Sequence, residues 1–546
     1  MRDFLRKLVG DPANRFATSI VVVVLIAVGY KIALLAADVF PFNADEAVVG
    51  LMARHILDGN WQVFFYGQAY MGSLDATFVA LGFSLFGSQV VVIRVVQVIL
   101  WSGTIITTAF LGKMIFNSER IGIIAAIFLA IPTVNTTLYT SISLGGYGEA
   151  LLIGNLLLIS SISARKYGEL KWYVMWGFLA GLGLWAFGIT LVFIVPTAIL
   201  LIITLSEIQP VNQRWRPIGA SIVAAALGGS PLLMWAIQNG FSPLVEELFG
   251  SAITGASSTN PLIFLFEHFR NIVLLGSTVI FGLRPPWAVV WLAKPLLSFA
   301  FAFWVFVIGY SLIRLKRRDA AFEGRWLLIG VSGSLFLGFM LTPFGADPSG
   351  RYFLPFVVPM ALFAAEIIEL IRQKANSVVW SRVILGVILV FNFWGTIESA
   401  TTKPPGITTQ FDSITWLDHS YDDELLKFLT ENGEIRGYSN YWVAYPLAFQ
   451  SNESLLFVPT LPYHQDFRYT PRDNRYLPYY EQVESSDRIA YISTNHAALD
   501  ELLRESFSAA EISWEETKIG NYVIFYDLSE PFRPVGMGEF NWAVED

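Results

Sequence analysis

Apolar runs long enough to cross a membrane recur along the first part of the chain, separated by short polar segments. The first run, 18–40, contains a single basic residue and exceeds the roughly 20 residues that cross about 30 Å of hydrocarbon. No small-residue cleavage site follows it and similar runs come later, so it is predicted to be a transmembrane helix rather than a signal peptide. The shorter runs 76–87 and 271–283 are predicted to be interfacial or re-entrant. The pattern therefore predicts about eleven spans, at 18–40, 89–116, 119–138, 148–164, 171–187, 189–206, 217–238, 289–313, 326–343, 352–371 and 378–398.

Basic residues between the spans predict the orientation. With an odd number of spans they all fall on one side, which the positive-inside rule makes cytoplasmic. These residues are Arg2, Arg6, Lys7, Arg15, Lys113, Arg120, Arg165, Lys166, Lys171, Arg214, Arg216, Arg314, Lys316, Arg317, Arg318, Arg372, Lys374 and Arg382. The N-terminus is therefore expected inside and the C-terminus outside, and counting 271–283 as a crossing would move the basic cluster 314–318 outward.

The chain is expected to divide into a transmembrane domain, 1–399, and a soluble extracytoplasmic domain, 400–546. The second opens with TTKPPG, a linker in which the residues before proline resist helix formation. Beyond it, 422–433 has the pattern of a helix and 487–495 and 521–528 have the pattern of strands. The expected fold is thus a polytopic α-helical membrane protein with a small C-terminal α/β domain.

Composition sharpens this picture. The chain is 54% hydrophobic and 15% charged, and 24 of its 44 acidic residues follow residue 400, against 10 of its 36 basic ones. The membrane part is therefore mildly basic and the tail strongly acidic, and no basic stripe suggests nucleic acid. The absence of cysteine excludes disulfides and thiolate chemistry, and an extracytoplasmic domain without disulfides fits a prokaryotic plasma membrane.

The first outward loop, 41–88, carries polar residues that packing does not explain. Asn43 or Asp45 is a candidate N-cap of a helix that runs to Leu57 and stops at Gly59. Asp45 and Glu46 at such a helix start also favour the macrodipole, so a structural role competes with a catalytic one. The loop is long and rich in aromatic residues, which favours a function.

This loop resembles the first extracytoplasmic loop of the GT-C membrane glycosyltransferases, which include the protein O-mannosyltransferases and the bacterial lipid A aminoarabinose transferases. The elements that carry the resemblance are the acidic pair Asp45-Glu46, Arg54, the step 59–61 (Gly-Asn-Trp) and the return 85–87 (Leu-Phe-Gly). The order of these elements matches the family pattern.

Two further stretches are similar to the same family. The segment 266–270, with Glu267, His268 and Arg270, resembles the Glu-His-x-x-Arg stretch before the eighth span. The segment 350–355, Gly-Arg-Tyr-Phe-Leu-Pro, resembles the entry to the tenth span. The resemblance covers about residues 15–400.

The resemblance implies transfer of a sugar, with inversion, from a polyprenyl phosphate to the hydroxyl of a glycan, lipid or protein acceptor. Asp45 is then the expected general base, with Glu46 as the runner-up or as a residue that orients Asp45 or a cation. Arg351 is expected to bind the leaving phosphate, with snorkelling as its structural alternative. Arg270 and His268 are secondary candidates for the phosphate, or else a solvated helix face. Asp45 and Glu46 would offer carboxylate oxygens, which suit Mg²⁺ or Mn²⁺ more than zinc, and the sequence does not decide whether such an ion takes part.

The sequence departs from the family in two places. Where related transferases carry Glu-Lys-Pro in the return arm, 68–72 reads Gln-Ala-Tyr-Met-Gly, with Asp75 as the nearest acid. Where the second outward loop of the relatives presents an aspartate, Glu149 stands instead. The contacts to the donor headgroup are therefore the least defined part of the expected site.

Lys31 and Lys294 lie within predicted spans, toward their outward ends. A charge inside a span is costly and often functional, but at this depth a lysine stem reaches the headgroups, so snorkelling is expected for both.

Two other classes compete with an enzyme. A transporter or flippase for lipid-linked sugars would show internal repeats and midplane charges, and no segment of the chain repeats. A sensor that binds a ligand through its acidic tail would not need about eleven spans.

Overall fold

A computed structural model describes residues 12–246, 261–347, 349–374, 377–402, 406–410, 413–467 and 470–534. Parts of the predicted linker 401–406, and the basic residues Arg2, Arg6 and Lys7, lie outside the described residues. The chain forms two compact units. The first contains residues 1–38, 70–72 and 94–401, and the second contains 39–69, 73–93 and 402–546.

The first unit is a polytopic helical membrane domain. Within the described residues, nine helices are long and apolar enough to cross a membrane, and ten if a pair bent by 74° counts as one more. The nine are Arg15–Ala36, Val90–Phe116, Tyr147–Tyr167, Gly188–Glu207, Pro261–Ile280, Lys294–Arg314, Phe322–Leu341, Arg351–Lys374 and Val378–Thr401, and the bent pair is Val211–Gly228 with Ser230–Asn239.

Four helical regions differ from the predicted spans, and the first is 217–238, predicted as one span, where the structure has the pair of helices bent by 74°. The run predicted at 119–138 is two helices, Glu119–Ala130 and Val134–Tyr139, separated at Pro132, where the missing N–H and the ring interrupt a helix. The run at 171–187 is a helix of 17 residues, Leu170–Ala186. The run 271–283, predicted to be too short, is part of the 20-residue helical stretch Pro261–Ile280, whose middle is a π-helical segment at Asn271–Gly276.

Small residues allow two membrane helices to pack backbone against backbone. A Cβ atom at Gly181 would lie 2.0 Å from the carbonyl oxygen of Ala225, and one at Gly177 would lie 2.2 Å from that of Ser221. Helices Leu170–Ala186 and Trp215–Gly228 therefore approach as small-xxx-small helices do in membranes, where close van der Waals packing drives association.

Lys31 does not snorkel. Its side chain is only 1% exposed, and Nζ donates hydrogen bonds to the backbone oxygen of Thr140 (2.7 Å), the Thr140 hydroxyl (2.8 Å) and the Ser141 hydroxyl (2.8 Å). The prediction for Lys31 was wrong because the carbonyl end of the short helix Val134–Tyr139 supplies polar partners inside the protein. Lys294, by contrast, is exposed at the first residue of its helix.

The second unit combines the first loop with the C-terminal residues. The loop contributes helices Ala44–Leu57 and Leu74–Phe86, strand β1 (Phe64–Phe65) and the start of β2 (Gln68–Gly72). The tail contributes strands β3 (Arg436–Ser439), β4 (Leu456–Pro459), β5 (Ala490–Thr494), β6 (Glu515–Ile519) and β7 (Tyr522–Tyr526), and helices Asp422–Glu431, Tyr441–Gln450, Leu477–Glu484 and Ala497–Ala509. The predicted helix at 422–433 and both predicted strands are confirmed.

The five strands of the tail form one mixed sheet in the order β4-β3-β5-β7-β6. β3 pairs in parallel with β4 and β5, whereas β7 is antiparallel to β5 and β6. The core between this sheet and its helices contains Leu425, Leu429, Phe457, Ile492 and Ile524. An α/β domain with its own core results, as expected.

Helix Ala44–Leu57 packs on helix Tyr441–Gln450. A Cβ atom at Gly50 would lie 2.5 Å from the ring of Phe449, and the guanidinium of Arg54 stacks 3.9 Å from the centre of the same ring. The division predicted at residue 400 leaves the first loop with the membrane helices, whereas in the structure most of the loop shares a unit with the tail.

Candidate active-site residues

Asn43, not Asp45, caps the first-loop helix. The Asn43 side chain accepts a hydrogen bond from the backbone N–H of Glu46 (3.0 Å), and the helix runs from Ala44 to Leu57 as predicted. This leaves the Asp45 side chain available for another role within the first turn, and it is 22% exposed. Glu46, one position on, is 0% exposed, so only one member of the acidic pair reaches the surface.

Two residues of the tail hold the Asp45 carboxylate. The hydroxyl of Tyr441 donates to Oδ1 at 2.5 Å, and Nη2 of Arg475 lies 3.4 Å from the same oxygen. Burial raises the pKa of the Tyr441 phenol well above its usual value, and the neighbouring Asp45 carboxylate adds to this, so Tyr441 stays protonated and donates. Asp45 is thus a partly exposed carboxylate with one oxygen fixed.

A second polar cluster lies at the other end of the same helix. His55 contacts the hydroxyl of Tyr66 through Nδ1 (2.7 Å) and Oε1 of Glu453 through Nε2 (2.9 Å), and Tyr479 donates to the same Glu453 oxygen at 2.6 Å. Arg54 donates to the backbone oxygen of Phe449 at 2.8 Å and to the hydroxyl of Ser88 at 2.6 Å. These contacts tie the first-loop helix to the tail and give Arg54 a structural role.

In the first unit, Arg351 begins a 3-10 turn, Arg351–Phe356, directly after Gly350, whose φ of +103° favours glycine. Nε and Nη2 of Arg351 contact Oδ2 of Asp347 at 2.7 and 2.6 Å. The Arg351 side chain is 36% exposed, and its guanidinium lies 5.0 Å from the centre of the Tyr352 ring. The ion pair fixes one edge of the guanidinium, and Nη1 takes no part in it.

Aromatic side chains surround this turn. The rings of Tyr147 and Phe187 lie 5.0 Å apart, and those of Phe344 and Tyr352 lie 4.9 Å apart. Tyr70 connects the two pairs, because its ring is 6.0 Å from Phe187 and 5.8 Å from Phe344. A cation therefore stands beside a ring of aromatic groups.

An apolar cavity of about 320 Å³ adjoins the same aromatic residues. Its walls come from helices Leu191–Glu207 and Phe322–Leu341, and Tyr70, Phe187 and Tyr352 contribute to its lining. Its volume is within the range of ligand pockets. A charged head next to Arg351 and an apolar chain in the cavity would both be accommodated.

The segment 266–270 separates into different environments. His268 is buried, its Nδ1 lies 3.3 Å from the backbone oxygen of Met340, and a Cβ atom at Gly345 would lie 2.2 Å from that nitrogen. His268 therefore supports the chain that leads to Asp347. Glu267 is half-buried and Arg270 is exposed.

Two other predicted acids are buried in the first turns of helices. Glu149 lies near the start of Tyr147–Tyr167 and Asp75 near the start of Leu74–Phe86, and each is 2% exposed. They belong to different units, Glu149 to the membrane domain and Asp75 to the unit of the first loop and tail.

The sequence reasoning missed Tyr441, Arg475 and Asp347. The two tail residues gave no signal, because a contact with a residue about 400 positions away, 396 for Tyr441 and Asp45, leaves no local pattern in the sequence. Asp347 had a local signal, since an acid four residues before Arg351 has the spacing of an ion pair.

The carboxylates of Asp45 and Glu46 do not form a pair that could bind one metal ion. Consecutive helix positions do not face each other, and Glu46 is buried while Asp45 is directed to Tyr441. Within the described part of the chain, no group of three His, Cys, Asp or Glu side chains is arranged to hold an ion. Asp45 and Glu46 therefore do not fit one bound Mg²⁺ or Mn²⁺.

Comparison with solved structures identifies the fold. The chain is similar to ArnT from Cupriavidus metallidurans bound to undecaprenyl phosphate, with a TM-score of 0.59 at 11% identity over 95% of this chain and 99% of that one. The apo state of ArnT gives a TM-score of 0.61 at 10% identity, over 94% and 98%. The archaeal oligosaccharyltransferase AglB from Archaeoglobus fulgidus, in complex with an inhibitory peptide and a dolichol-phosphate, gives 0.50 at 13% identity, over 87% and 69%.

The same archaeal enzyme in complex with Zn and sulfate gives a TM-score of 0.52 at 13% identity, over 87% of this chain and 67% of that one. No family model matches the sequence, and no curated protein matches it significantly. The likeness establishes that the chain has the GT-C fold, as the resemblance in its loops predicted.

Proposed function

We propose that the protein is an inverting glycosyltransferase that moves a sugar from a polyprenyl phosphate to an acceptor hydroxyl at the outer face of the plasma membrane. Two solved structures with the same fold contain lipid phosphates of this class, undecaprenyl phosphate in ArnT and dolichol-phosphate in AglB. The fold alone does not assign a reaction, so the proposal rests on the residues themselves.

The observation that carries the proposal is the placement of Arg351 beside the apolar cavity. A polyprenyl phosphate has an anionic head and an apolar tail, and the first unit offers a guanidinium and an apolar chamber joined through Tyr352. Arginine matches the geometry of phosphate oxygens, and a cation stabilises the charge that develops on a leaving phosphate. Asp347 holds the guanidinium in place through Nε and Nη2.

We assign the general base to Asp45. In the reaction, the acceptor hydroxyl gives its proton to the carboxylate as its oxygen bonds to the anomeric carbon. The bond between that carbon and the phosphate oxygen breaks on the opposite face, and the electron pair leaves with the polyprenyl phosphate. Asp45 is partly exposed and suits this role, whereas the buried Glu46 does not.

The remaining candidates receive supporting roles. His268 holds the segment before Asp347, and Arg54 holds the first-loop helix. Glu149, at the start of the helix that carries Tyr147, is our candidate for a contact with the donor headgroup, and Arg270 and Asp75 are weaker candidates.

The test is binding of undecaprenyl phosphate to the purified full-length chain in detergent. Arg351→Gln removes the cation, and we expect the dissociation constant to rise at least about tenfold, the usual effect of losing a charge-assisted hydrogen bond. Arg317→Gln makes the same change at an exposed site in the basic segment 314–318 and should leave binding unchanged. Equal affinities for the wild type and Arg351→Gln would contradict the assignment.

Turnover is measured as release of undecaprenyl phosphate from undecaprenyl-phosphate-linked hexoses and pentoses, with a cell-envelope extract as acceptor; we call this the release assay. A flippase would instead move these lipids across a vesicle membrane without releasing the carrier. Flipping without release would replace the transferase proposal by the transporter alternative.

A further inference from the structure

The Asp45 carboxylate is held by the C-terminal residues of its unit. Tyr441 donates to Oδ1 at 2.5 Å from a position 396 residues later in the chain, and Arg475 approaches the same oxygen at 3.4 Å. Both contacts reach Oδ1. Oδ2 is therefore the oxygen that can turn toward an incoming hydroxyl.

Tyr441 is itself fixed. It is the first residue of helix Tyr441–Gln450, which is capped by Asn440, whose side chain accepts from the N–H of Trp442 at 3.0 Å. Asn440 in turn donates to the hydroxyl of Thr494 on β5 at 2.8 Å, and both are buried. The Tyr441 side chain is thus carried by the capped start of a helix that is tied to β5, rather than by a loop.

Arg475 is fixed by different contacts. Its backbone N–H donates to the hydroxyl of Tyr445 at 2.7 Å, and Tyr445 donates to the backbone oxygen of Asp473 at 3.0 Å. Its guanidinium lies 4.8 Å from the centre of the Tyr441 ring and 5.5 Å from that of Phe65. The aromatic faces and the ion pair leave this side chain only 8% exposed.

We propose that Tyr441 and Arg475 are positioning residues for catalysis, which hold Oδ1 of Asp45 so that Oδ2 receives the proton of the acceptor. The inference rests on the proposed function, because it takes Asp45 as the base. It makes the C-terminal domain part of the catalytic machinery, although no catalytic motif is present in its sequence.

The physical reason is preorganisation. An aspartate on the first turn of a helix rotates about two side-chain bonds, and a base that samples several orientations is rarely aligned with the hydroxyl. Two anchors on one oxygen restrict both rotations while the other oxygen stays able to accept. Losing such an anchor should lower the rate of the chemical step and leave donor binding almost intact.

The experiment is a double-mutant cycle in the release assay with full-length protein. Tyr441→Phe keeps the ring and removes the hydroxyl, and we expect kcat to fall about 10- to 100-fold with little change in KM for the donor. Asp45→Asn should lower kcat by a larger factor than Tyr441→Phe does. In the Asp45→Asn background, Tyr441→Phe should then add nothing, because a residue that acts through the base has no effect once the base is absent.

Tyr438→Phe is the matched control. Tyr438 is buried in the same domain, and its hydroxyl donates to Oε2 of Glu484 at 3.1 Å. This variant should keep the kcat of the wild type. A Tyr441→Phe enzyme with normal kcat, or losses that multiply in the double variant, would overturn the positioning role.

The outcomes also separate this inference from the base assignment. An inactive Asp45→Asn together with a fully active Tyr441→Phe overturns only the role of Tyr441. A fully active Asp45→Asn refutes the base assignment and, with it, the positioning role. Arg475→Lys, which retains the charge without the planar fork, should recover part of the activity that Arg475→Gln loses.

Discussion

Asn43 caps the first-loop helix, whereas its neighbour Asp45 is the residue that we propose as the general base. Because Asn43 supplies the cap, replacing Asp45 leaves the hydrogen bond at the helix terminus in place. Catalysis and capping can therefore be separated experimentally at this helix.

We predict that Asp45→Asn lowers the rate in the release assay by about 10²–10⁴-fold, the usual cost of losing a general base, while the thermal midpoint stays close to that of the wild type. For Glu46→Gln we expect the opposite, a smaller loss of rate and a lower stability. Glu46 is 0% exposed, so its replacement should lower the free energy of unfolding by about 1–3 kcal/mol, the cost of disturbing a buried polar group. Near-normal turnover by a well-folded Asp45→Asn enzyme would exclude Asp45 as the base.

The contact between His55 and Glu453 predicts a pH dependence of stability. Burial by itself would raise the pKa of the Glu453 carboxyl, but hydrogen bonds from His55 and Tyr479 outweigh it and hold the pKa below its usual value of 4.5. A carboxyl with a depressed pKa contributes stability that is present above the unfolded pKa and lost as the pH falls through the folded pKa. The wild type should therefore lose stability from about pH 4.5 downward.

Glu453→Gln cannot titrate at this position, so its thermal midpoint should fall less steeply over the same acid range. The measurement is thermal unfolding of both proteins in detergent between about pH 3.5 and 6. Parallel curves for the two proteins would show that the carboxyl of Glu453 does not stabilise the contact.

What the sequence reveals at the residue scale depends on distance along the chain. The family resemblance singled out the acidic pair at the helix start, and the structure leaves Asp45 partly exposed and buries Glu46. Which of two adjacent acids is buried depends on what packs against the helix, and Tyr441 and Phe449 come from nearly 400 positions away. The prediction that Lys31 snorkels was wrong for the same reason, because its partner Thr140 is distant in the sequence.

At the scale of elements, the wrong predictions arose where a count of apolar residues disagreed with other local signals. Pro132 is a signal for the break inside 119–138, but the apolar run continues past it and therefore predicted one span. The stretch Pro261–Ile280 was missed because Glu267, His268 and Arg270 interrupt the apolar run, although a helix can continue through polar residues that find partners or solvent. Hydropathy measures continuity of apolar residues, whereas a helix needs only continuity of backbone hydrogen bonds.

The glycine contact between helices Leu170–Ala186 and Trp215–Gly228 gives a prediction at this scale. Gly181→Leu would place a side chain where a Cβ atom already lies 2.0 Å from the Ala225 oxygen, so the helices must separate. We expect a loss of about 1–3 kcal/mol or more, the range of overpacked cores, seen as a lower thermal midpoint. Gly219→Leu is the control, because Gly219 lies in the partner helix with nothing within 4 Å of its Cβ position, and it should be neutral. Equal midpoints for the two variants would contradict close packing at Gly181.

At the scale of the whole molecule, the grouping of most of the first loop with the tail could not be read from the sequence. Apolar runs predict where the last span ends, and the last candidate span in the structure ends at Thr401, but a sequence pattern carries no information on which soluble segments pack together. Helix Ala44–Leu57 interacts with Tyr441–Gln450 through Phe449, which the composition of either segment alone does not indicate. The membrane class and the α/β class of the tail, by contrast, follow from periodicity and were predicted.

The orientation in the membrane is the last prediction, and it uses the absence of native cysteine. Between Arg317 and Glu431 the described residues contain three helices able to cross the membrane, Phe322–Leu341, Arg351–Lys374 and Val378–Thr401. Three crossings place the two residues on opposite sides, and the positive-inside rule puts the basic segment around Arg317 in the cytoplasm. Both positions are exposed, with 64% of the Glu431 side chain accessible.

In intact spheroplasts, a membrane-impermeant maleimide should therefore label Glu431→Cys, and should label Arg317→Cys only after permeabilisation. The reverse pattern would place the C-terminal domain in the cytoplasm, away from any acceptor at the outer face. Labelling of both residues from the same side would mean that one of the three helices does not cross. Only the expected pattern places Asp45, through its contacts with Tyr441 and Arg475, on the outer face, where the proposed transfer requires the base.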